Sequence, residues 1–366
     1  MEKNIEKQMR VVVGVSGGVD SSVAVYILKQ QGYDVVALHM KSLNSETAED
    51  DEIRAREICA KLGVKLEVVD YKDEMQIVKD YFISEYKNGR TPNPCVVCNQ
   101  MVKFKPFIEF AEKIGADYFA TGHYASIVHE NGEHILQTAK DENKDQTYFL
   151  CRLTQRQLER VLFPLGSYTK QEVRQIAEEL GLISAKTKDS YDVCFLGSQK
   201  FKDYISKEIP EKEGDIVDVA TGKVIGKHGG LSKYTLGQRK GLGIGGGFGK
   251  TLEPWFVAGK DINKNVLYVA QGSDDLLYSE ALISNDVNWI PSIPSKKSFE
   301  CLAKFRYRQT PQDVIVNLDG EKVTVRFKTR QRSITPGQYV VFYDDEKCIG
   351  GGTIDFVVRN IETAEI

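Results

Sequence analysis

Residues 11–22 read VVVGVSGGVDSS, and the order of those letters decides the N-terminal fold. Val11, Val12 and Val13 are β-branched and favour a buried strand. Ser16, Gly17 and Gly18 make a tight turn, and a helix opens at Val19, Asp20, Ser21 and Ser22 and runs to Gly32. A glycine-rich turn between a strand and a helix leaves backbone N–H groups unpaired and pointing outward. The helix dipole adds partial positive charge at the same place. An anion fits there, most often a phosphate. The lysine of a Walker A loop is missing.

The form S-G-G-x-D-S resembles the pyrophosphate-gripping loop of the ATP pyrophosphatase superfamily, which splits ATP into AMP and pyrophosphate. Outward from it the chain alternates strand and helix. Residues 34–40 and 65–70 read as strands, with a helix over about 49–62 between them. An irregular segment, a helix over about 102–114 and a strand at 118–122 follow. Such alternation predicts a parallel sheet with helices on both faces, whose ligands bind beyond the carboxyl ends of the strands. Gly14 to Ser21, Met40, Gly122 and His123 all fall at strand C-termini and should meet around one crevice. Thr169 and Glu172 form a capping box before an amphipathic helix read as structural.

The chain has 366 residues, 41% hydrophobic and 28% charged, which suits two or three globular domains. Residues 1–10 are polar, no apolar run approaches membrane-spanning length, and the expected location is cytoplasmic. A net charge of −3 excludes overall attraction to nucleic acid, so any such binding needs local patches. Domains are expected over residues 1–205, 206–275 and 276–366. The middle one is rich in glycine turns, and the last has short alternating strands with an Asp319-Gly320 hairpin signal. That texture predicts a C-terminal β-barrel. Gly241, Gly243 and Gly246 fit a dinucleotide pattern without the strand it needs. Gly249-Lys250-Thr251 ends like a Walker A loop whose first position is Ile244, so both matches are rejected.

Seven cysteines, an odd number, argue against a secreted disulfide framework. Cys95 and Cys98 form a CxxC in GRTPNPCVVCNQMVKF, residues 89–104, where Pro92 and Pro94 predict an exposed, shaped loop. A single CxxC is open to zinc, redox and iron–sulfur uses, and no second CxxC or HxxxH completes a zinc tetrahedron. Cys194 in SYDVCFLGS is a third candidate. Cys59, Cys151, Cys301 and Cys348 read as filler.

The loop SGGVDSS, GRTPNPCVVCN-x-x-VKF, ATGHYA, KDQTYFL, CFLG, YTLGQRKGLGI and FRYRQTP occur in that order. Together they resemble the tRNA-specific 2-thiouridylases, over nearly the whole chain. That family replaces O2 of the wobble uridine (position 34), in tRNAs for lysine, glutamate and glutamine, with sulfur. The resemblance implies an adenine nucleotide alpha-hydrolase-like α/β domain, a small central domain and a C-terminal β-barrel. It implies ATP, with Mg2+, at Gly14, Val15, Ser16, Gly17, Gly18, Val19, Asp20, Ser21 and Met40, with Gly122 near the adenine or ribose. Asn93, Pro94 and Cys95 should surround the flipped-out uridine. His123, Lys144, Asp145, Gln146, Arg306, Tyr307 and Gln338 should contact tRNA.

The implied chemistry suits these residue types. Adenylation turns a poor leaving oxygen into AMP, and sulfur then attacks C2. Cys194 would carry a persulfide, which brings sulfur without free sulfide; the sulfur donor is expected to be a sulfurtransferase, or sulfide where no persulfide forms. Cys98 would free that sulfur by forming a disulfide with Cys194, so both thiols should be accessible and partly ionised. The commoner family pattern has aspartate where this chain has Cys95. Three cysteines resemble instead the tRNA thiolases that hold a [4Fe-4S] cluster on three thiolates, here Cys95, Cys98 and Cys194. Rival readings are an amide-forming synthetase of the same superfamily, which needs no thiols, and a non-catalytic RNA-binding homologue. Lys304, Arg306 and Arg308, like Arg326, Lys328, Arg330 and Arg332, alternate, so each set lies on one face of its strand. These faces are the expected phosphate-binding surface.

Overall fold

The computed structural model describes residues 8–41, 48–186, 201–244 and 253–359. Cys194, Gly246 and residues 249–251 lie outside them, so the expectations placed on them have no structural counterpart here.

Strand β1 (Arg10–Gly14) pairs in parallel with β2 (Asp34–Lys41), and β2 with β3 (Lys65–Asp70). On its other side β1 pairs with β4 (Tyr118–Ala120). The hairpin β5 (Ser126–Glu130) and β6 (Glu133–Gln137) follows, and β7 (Val161–Leu162) then lies beside β4. The parallel sheet runs β3-β2-β1-β4-β7. The helices are α1 (Val19–Gln30), α2 (Ala48–Leu62), α3 (Lys72–Lys87), α4 (Pro94–Cys98), α5 (Lys105–Lys113), α6 (Thr147–Leu150), α7 (Gln155–Arg160), α8 (Lys170–Glu179) and α9 (Phe201–Glu208).

Alternation along β1 builds two cores. Val11 and Val13 face α1, α2 and α8, while Val12 faces Val96 of α4 and Phe107 and Ile108 of α5. All three valines are fully buried, each worth about 1.5–3 kcal/mol. The second core also contains Tyr339, Val341 and Tyr343 from the C-terminal half, so the two halves share apolar interior.

Two segments differ from the sequence reading. The stretch after β3 is not irregular: α3 buries Met75, Val78, Phe82 and Tyr86, a helical spacing the sequence already contained. Nor does Pro94 keep the CxxC out of helix. It occupies the start of α4, where a missing N–H costs nothing and the fixed φ suits the first turn. Pro92 and Pro94 are both buried, so the segment is not the exposed loop expected.

Beyond α9, β8 (Gly214–Asp218), β9 (Val224–His228), β10 (Trp255–Asp261) and β11 (Val266–Gln271) form a sheet ordered β10-β11-β8-β9. The last strands are β12 (Tyr278–Ser284), β13 (Val287–Trp289), β14 (Ser298–Lys304), β15 (Gln312–Asp319), β16 (Lys322–Arg332), β17 (Tyr339–Asp344), β18 (Lys347–Thr353) and β19 (Phe356–Val358). They run in the order β19-β12-β16-β15-β14-β17-β18, and β13 pairs with β18. The hairpin β5–β6 extends this sheet through β18 rather than joining the parallel one. Its turn, Asn131-Gly132, has φ of 52° and 81°. That Asn-Gly pair is a hairpin signal the sequence reading passed over. Among the described residues no helix is long and apolar enough to cross a membrane.

Candidate active site

The turn after β1 is shaped by its glycines. A side chain at Gly14 would meet the Phe107 ring at 2.9 Å. Gly17 has φ of 81°, and a Cβ there would lie 2.7 Å from the Asp51 carbonyl oxygen of α2. The serines stitch the turn together. Ser16 N–H donates to Ser21 Oγ at 3.2 Å, and the Ser21 and Ser22 hydroxyls donate to the Gly18 carbonyl at 3.1 and 2.7 Å. Val15 N–H donates to the Leu38 carbonyl at 2.8 Å, and Val19 is buried. No side chain caps α1, which leaves its first-turn amides for a ligand.

Asp20 is gripped from two sides. Tyr124 O–H donates to Oδ1 at 2.8 Å, and Lys170 Nζ donates to both carboxylate oxygens at 2.7 Å. Tyr124 is fixed in turn by Gln146. Tyr124 N–H donates to Gln146 Oε1 at 2.9 Å, and Gln146 N–H donates to the Tyr124 carbonyl at 2.8 Å. Gly122 presses on the same turn, since a Cβ there would stand 2.8 Å from Asp20 C and Ser21 N. Sequence reasoning missed Tyr124 and Lys170. The signal for Lys170 was a lysine in the first turn of a helix, against the dipole.

The thiols occupy one helical turn. Asn93 caps α4, its Oδ1 accepting from Cys95 N–H at 3.2 Å. Cys95 is half-buried, whereas Cys98 is 3% exposed in a cluster with Met75, Val78, Phe82 and Tyr86. The expectation of an accessible Cys98 is therefore corrected: α4 packs on α3, and Cys98 lies among the α3 side chains. Met40, at the end of β2, packs against this cluster and against the core beneath β1. Asn99 Nδ2 donates to the Phe149 carbonyl at 3.0 Å, and Phe149 lies 4.4 Å, ring centroid to centroid, from Tyr307. Among the described residues no three His, Cys, Asp or Glu side chains come together as a metal would require. The cluster expectation needs Cys194, which lies outside them.

The residues expected to touch tRNA divide. His123 Nδ1 lies 2.7 Å from Thr121 Oγ1, with Phe104 at 5.9 Å between ring centroids. Burial, with nearby Lys103, holds its pKa well below the ordinary value, so the imidazole is neutral. Asp145 is 4% exposed, and its carboxylate accepts from Ala139 N–H at 3.2 Å and Thr147 O–H at 2.7 Å. It ties the 139–147 segment together and is turned away from solvent. Lys144 beside it is half-buried. Arg306 Nη2 donates to the Leu236 and Ser333 carbonyls at 3.2 and 2.9 Å, bridging the central and C-terminal sheets. Gln338 Nε2 donates to the Thr91 carbonyl at 2.8 Å, next to the cysteine segment. Tyr307, through Phe149, and Gln338 thus border the α4 region, while Gln146 belongs to the Asp20 network.

Three family descriptions match in succession: tRNA methyl transferase HUP domain over residues 9–198, tRNA methyl transferase PRC-barrel domain over 202–271, and aminomethyltransferase beta-barrel domain over 279–354. The tRNA-specific 2-thiouridylase MnmA of Halalkalibacterium halodurans is 50% identical across 100% of both chains. The chain belongs to the tRNA-specific 2-thiouridylase family. The same protein of Exiguobacterium sibiricum is 49% identical over 95% of this chain and 94% of that one. The family's α/β domain, PRC-barrel domain and β-barrel domain follow the order of the three sheet regions. The U34-tRNA thiolase NcsA of Methanococcus maripaludis, solved with its [4Fe-4S] cluster, is 21% identical with a TM-score of 0.35, over 55% of this chain and 67% of that one.

Proposed function

We propose that this chain catalyses ATP-dependent 2-thiolation of the wobble uridine at position 34 of tRNA, in the lysine, glutamate and glutamine isoacceptors. One observation carries the reading. Met40, at the end of the strand beside β1, packs both on the core that holds Val12 of β1 and on the apolar cluster that holds Cys98, which supports one crevice shared by nucleotide and thiol. Residues 1–205 then bind ATP and bear the thiols, 206–275 form the central unit, and 276–366 the tRNA-holding barrel.

ATP supplies the activation: uridine O2 attacks the α-phosphorus, pyrophosphate leaves, and the oxygen departs later as AMP. The turn's amides and Ser16 to Ser21 hold the phosphates. Asp20 offers the single carboxylate, beside phosphate oxygens, that suits Mg2+. Asn93, Pro94 and Cys95 surround the extracted base, which costs little beyond unstacking because the anticodon loop is single-stranded. The terminal sulfur of a Cys194 persulfide attacks C2 and AMP leaves. Cys98 thiolate then attacks Cys194 Sγ, the sulfur–sulfur bond breaks, and a Cys98–Cys194 disulfide remains for an external thiol to reduce. Because Cys98 is buried, α4 has to turn or shift for this step.

A second reading is favoured by Cys95, where the family more often has aspartate: a [4Fe-4S] cluster on Cys95, Cys98 and Cys194. The test is mass spectrometry of tRNA nucleosides after incubation with ATP and a protein persulfide donor, with sulfide in a parallel reaction, for wild type, Cys98→Ser and Cys95→Asp, alongside iron analysis of anaerobically purified protein. The persulfide route expects 2-thiouridine from metal-free wild type and from Cys95→Asp, and none from Cys98→Ser. Product from Cys98→Ser would refute both thiol readings. Loss in Cys95→Asp with iron in wild type would select the cluster.

A further inference from the structure

The turn that meets the phosphates has no cation of its own: residues 11–28 contain neither lysine nor arginine. MgATP and its leaving pyrophosphate bring excess negative charge that amides alone neutralise weakly. Arg54 of α2 approaches Gly17, but its guanidinium is paired with Asp51. Lys170 comes from the opposite side, 150 residues away in sequence, and is 9% exposed with Nζ 2.7 Å from both oxygens of Asp20. Its backbone is anchored separately, since Lys170 N–H donates to Asp141 Oδ2 at 2.8 Å. Its position at the start of α8 is fixed by the Thr169–Glu172 capping box. The charge is thus built into the loop's mouth at a place where the α8 dipole disfavours it.

We propose that Lys170 is the pyrophosphate-binding cation of the turn, parked on Asp20 in the absence of nucleotide. When MgATP enters, Asp20 engages the metal ion and the Lys170 ammonium moves to the β- and γ-phosphate oxygens. The residue does for this loop what the lysine inside a Walker A motif does for that one, but from another helix. Tyr124, donating to Asp20 Oδ1, keeps the carboxylate in place during the exchange. The exchange is one of ionic partners only, and no covalent bond forms or breaks.

This inference rests on the ATP reading above, and the experiment separates the two. MgATP, AMP and inorganic pyrophosphate are titrated calorimetrically into wild type, Lys170→Met, Lys170→Arg and Asp20→Asn, with thermal unfolding of each. Wild type that binds no MgATP would sink the ATP reading itself. With MgATP bound, Lys170→Met should weaken MgATP and pyrophosphate about tenfold to a hundredfold, the weight of one charge-assisted hydrogen bond, and leave AMP unchanged. Lys170→Arg should recover most of that loss. In EDTA, Asp20→Asn should bind pyrophosphate more tightly than wild type, because the ammonium is released from its partner. Equal weakening of AMP and MgATP in Lys170→Met, or pyrophosphate affinity unmoved in it, would overturn the proposal and leave Lys170 as an anchor between α8 and α1. If Lys170→Met does not fold, weaker pyrophosphate binding by Asp20→Asn in EDTA overturns it alone.

Discussion

The serine bonds that shape the turn at residues 16–21 join positions no more than five apart. The segment leading into α4 is held the other way. Arg90 Nη2 bonds Asp355 at 3.2 Å across 265 positions, and Thr91 Oγ1 meets Thr235 Oγ1 at 3.4 Å across 144. Thr91 N–H donates to the Pro336 carbonyl at 3.0 Å, and Lys260 Nζ to the Gly89 carbonyl at 3.2 Å. The backbone of the nucleotide turn is shaped by local chain chemistry, with distant residues entering through Asp20 and Gly122. The segment leading to the thiols is tied in addition to the central and C-terminal units. Damage to the barrel should therefore silence sulfur transfer before it touches nucleotide binding.

The largest expected effect breaks the local side. Gly17→Ala puts a side chain at φ of 81° and a Cβ 2.7 Å from the Asp51 carbonyl oxygen. The strained backbone alone costs about 1–3 kcal/mol, and the overlap with α2 backbone adds to it. MgATP binding and thiolation should both fall below detection in calorimetry and nucleoside analysis. Normal MgATP affinity would mean that the turn is not where the phosphates bind.

Next comes the long-range side. Arg90 pairs with Glu85 at 2.7 Å and with Asp355 at 3.2 Å, all three side chains at most 24% exposed. Arg90→Ala leaves two partly buried carboxylates unpaired, a loss of about 2–3 kcal/mol between the surface and buried limits. Thiolation should drop about tenfold or more as α4 loosens, since a small misplacement of reacting groups can cost a hundredfold. MgATP affinity should stay within about threefold, a change worth under 1 kcal/mol. Equal loss of both would erase the distinction between the two regions.

What was legible in the sequence follows the same division. Strand β1, the turn and α1 could be read because valine, glycine and serine act on their own neighbours. The capping box at Thr169 was legible for the same reason, whereas Lys170's reach to Asp20 was not, because its partner lies on another helix. The inward turn of Cys98 depends on α3, and the join of β5–β6 to β18 on a pairing more than two hundred positions distant, as Lys347↔Gln137 records. Gln338 and Arg306 entered through family resemblance as tRNA contacts. Their hydrogen bonds, Gln338 to Thr91 and Arg306 to Leu236 and Ser333, join segments far apart in sequence, which no local pattern announces.

A smaller effect sharpens the comparison through pH. Burial pushes the Lys260 ammonium down to about 8. An unfolded chain keeps that proton to about 10.4, so between the two values it binds more protons than the folded chain. Stability must therefore rise with pH across that window, and below pH 8 the buried charge opposes folding. Lys260→Met should raise Tm at pH 7, and the advantage should shrink toward pH 10. A variant less stable than wild type at pH 7 would show that the bond to Gly89 outweighs the cost of burial.

The weakest expected effect concerns the basic face of β16. Arg326, Lys328, Arg330 and Arg332 are all exposed, as their alternation predicts. Three of them are already occupied. Lys328 pairs with Glu300 at 2.7 Å, Arg330 with Asp275 at 3.0 Å, and Arg332 lies 4.3 Å over the Phe256 ring. Among the described residues Arg326 makes no ion pair, so it is the side chain of this row with its charge available for a phosphate. Arg326→Ala with Arg330→Ala should weaken tRNA binding and lower its salt slope by about one phosphate contact, most of it from Arg326. MgATP affinity should not change. Filter binding at several salt concentrations reads the slope, and an unaltered slope in the double variant would move the RNA to another face of the barrel.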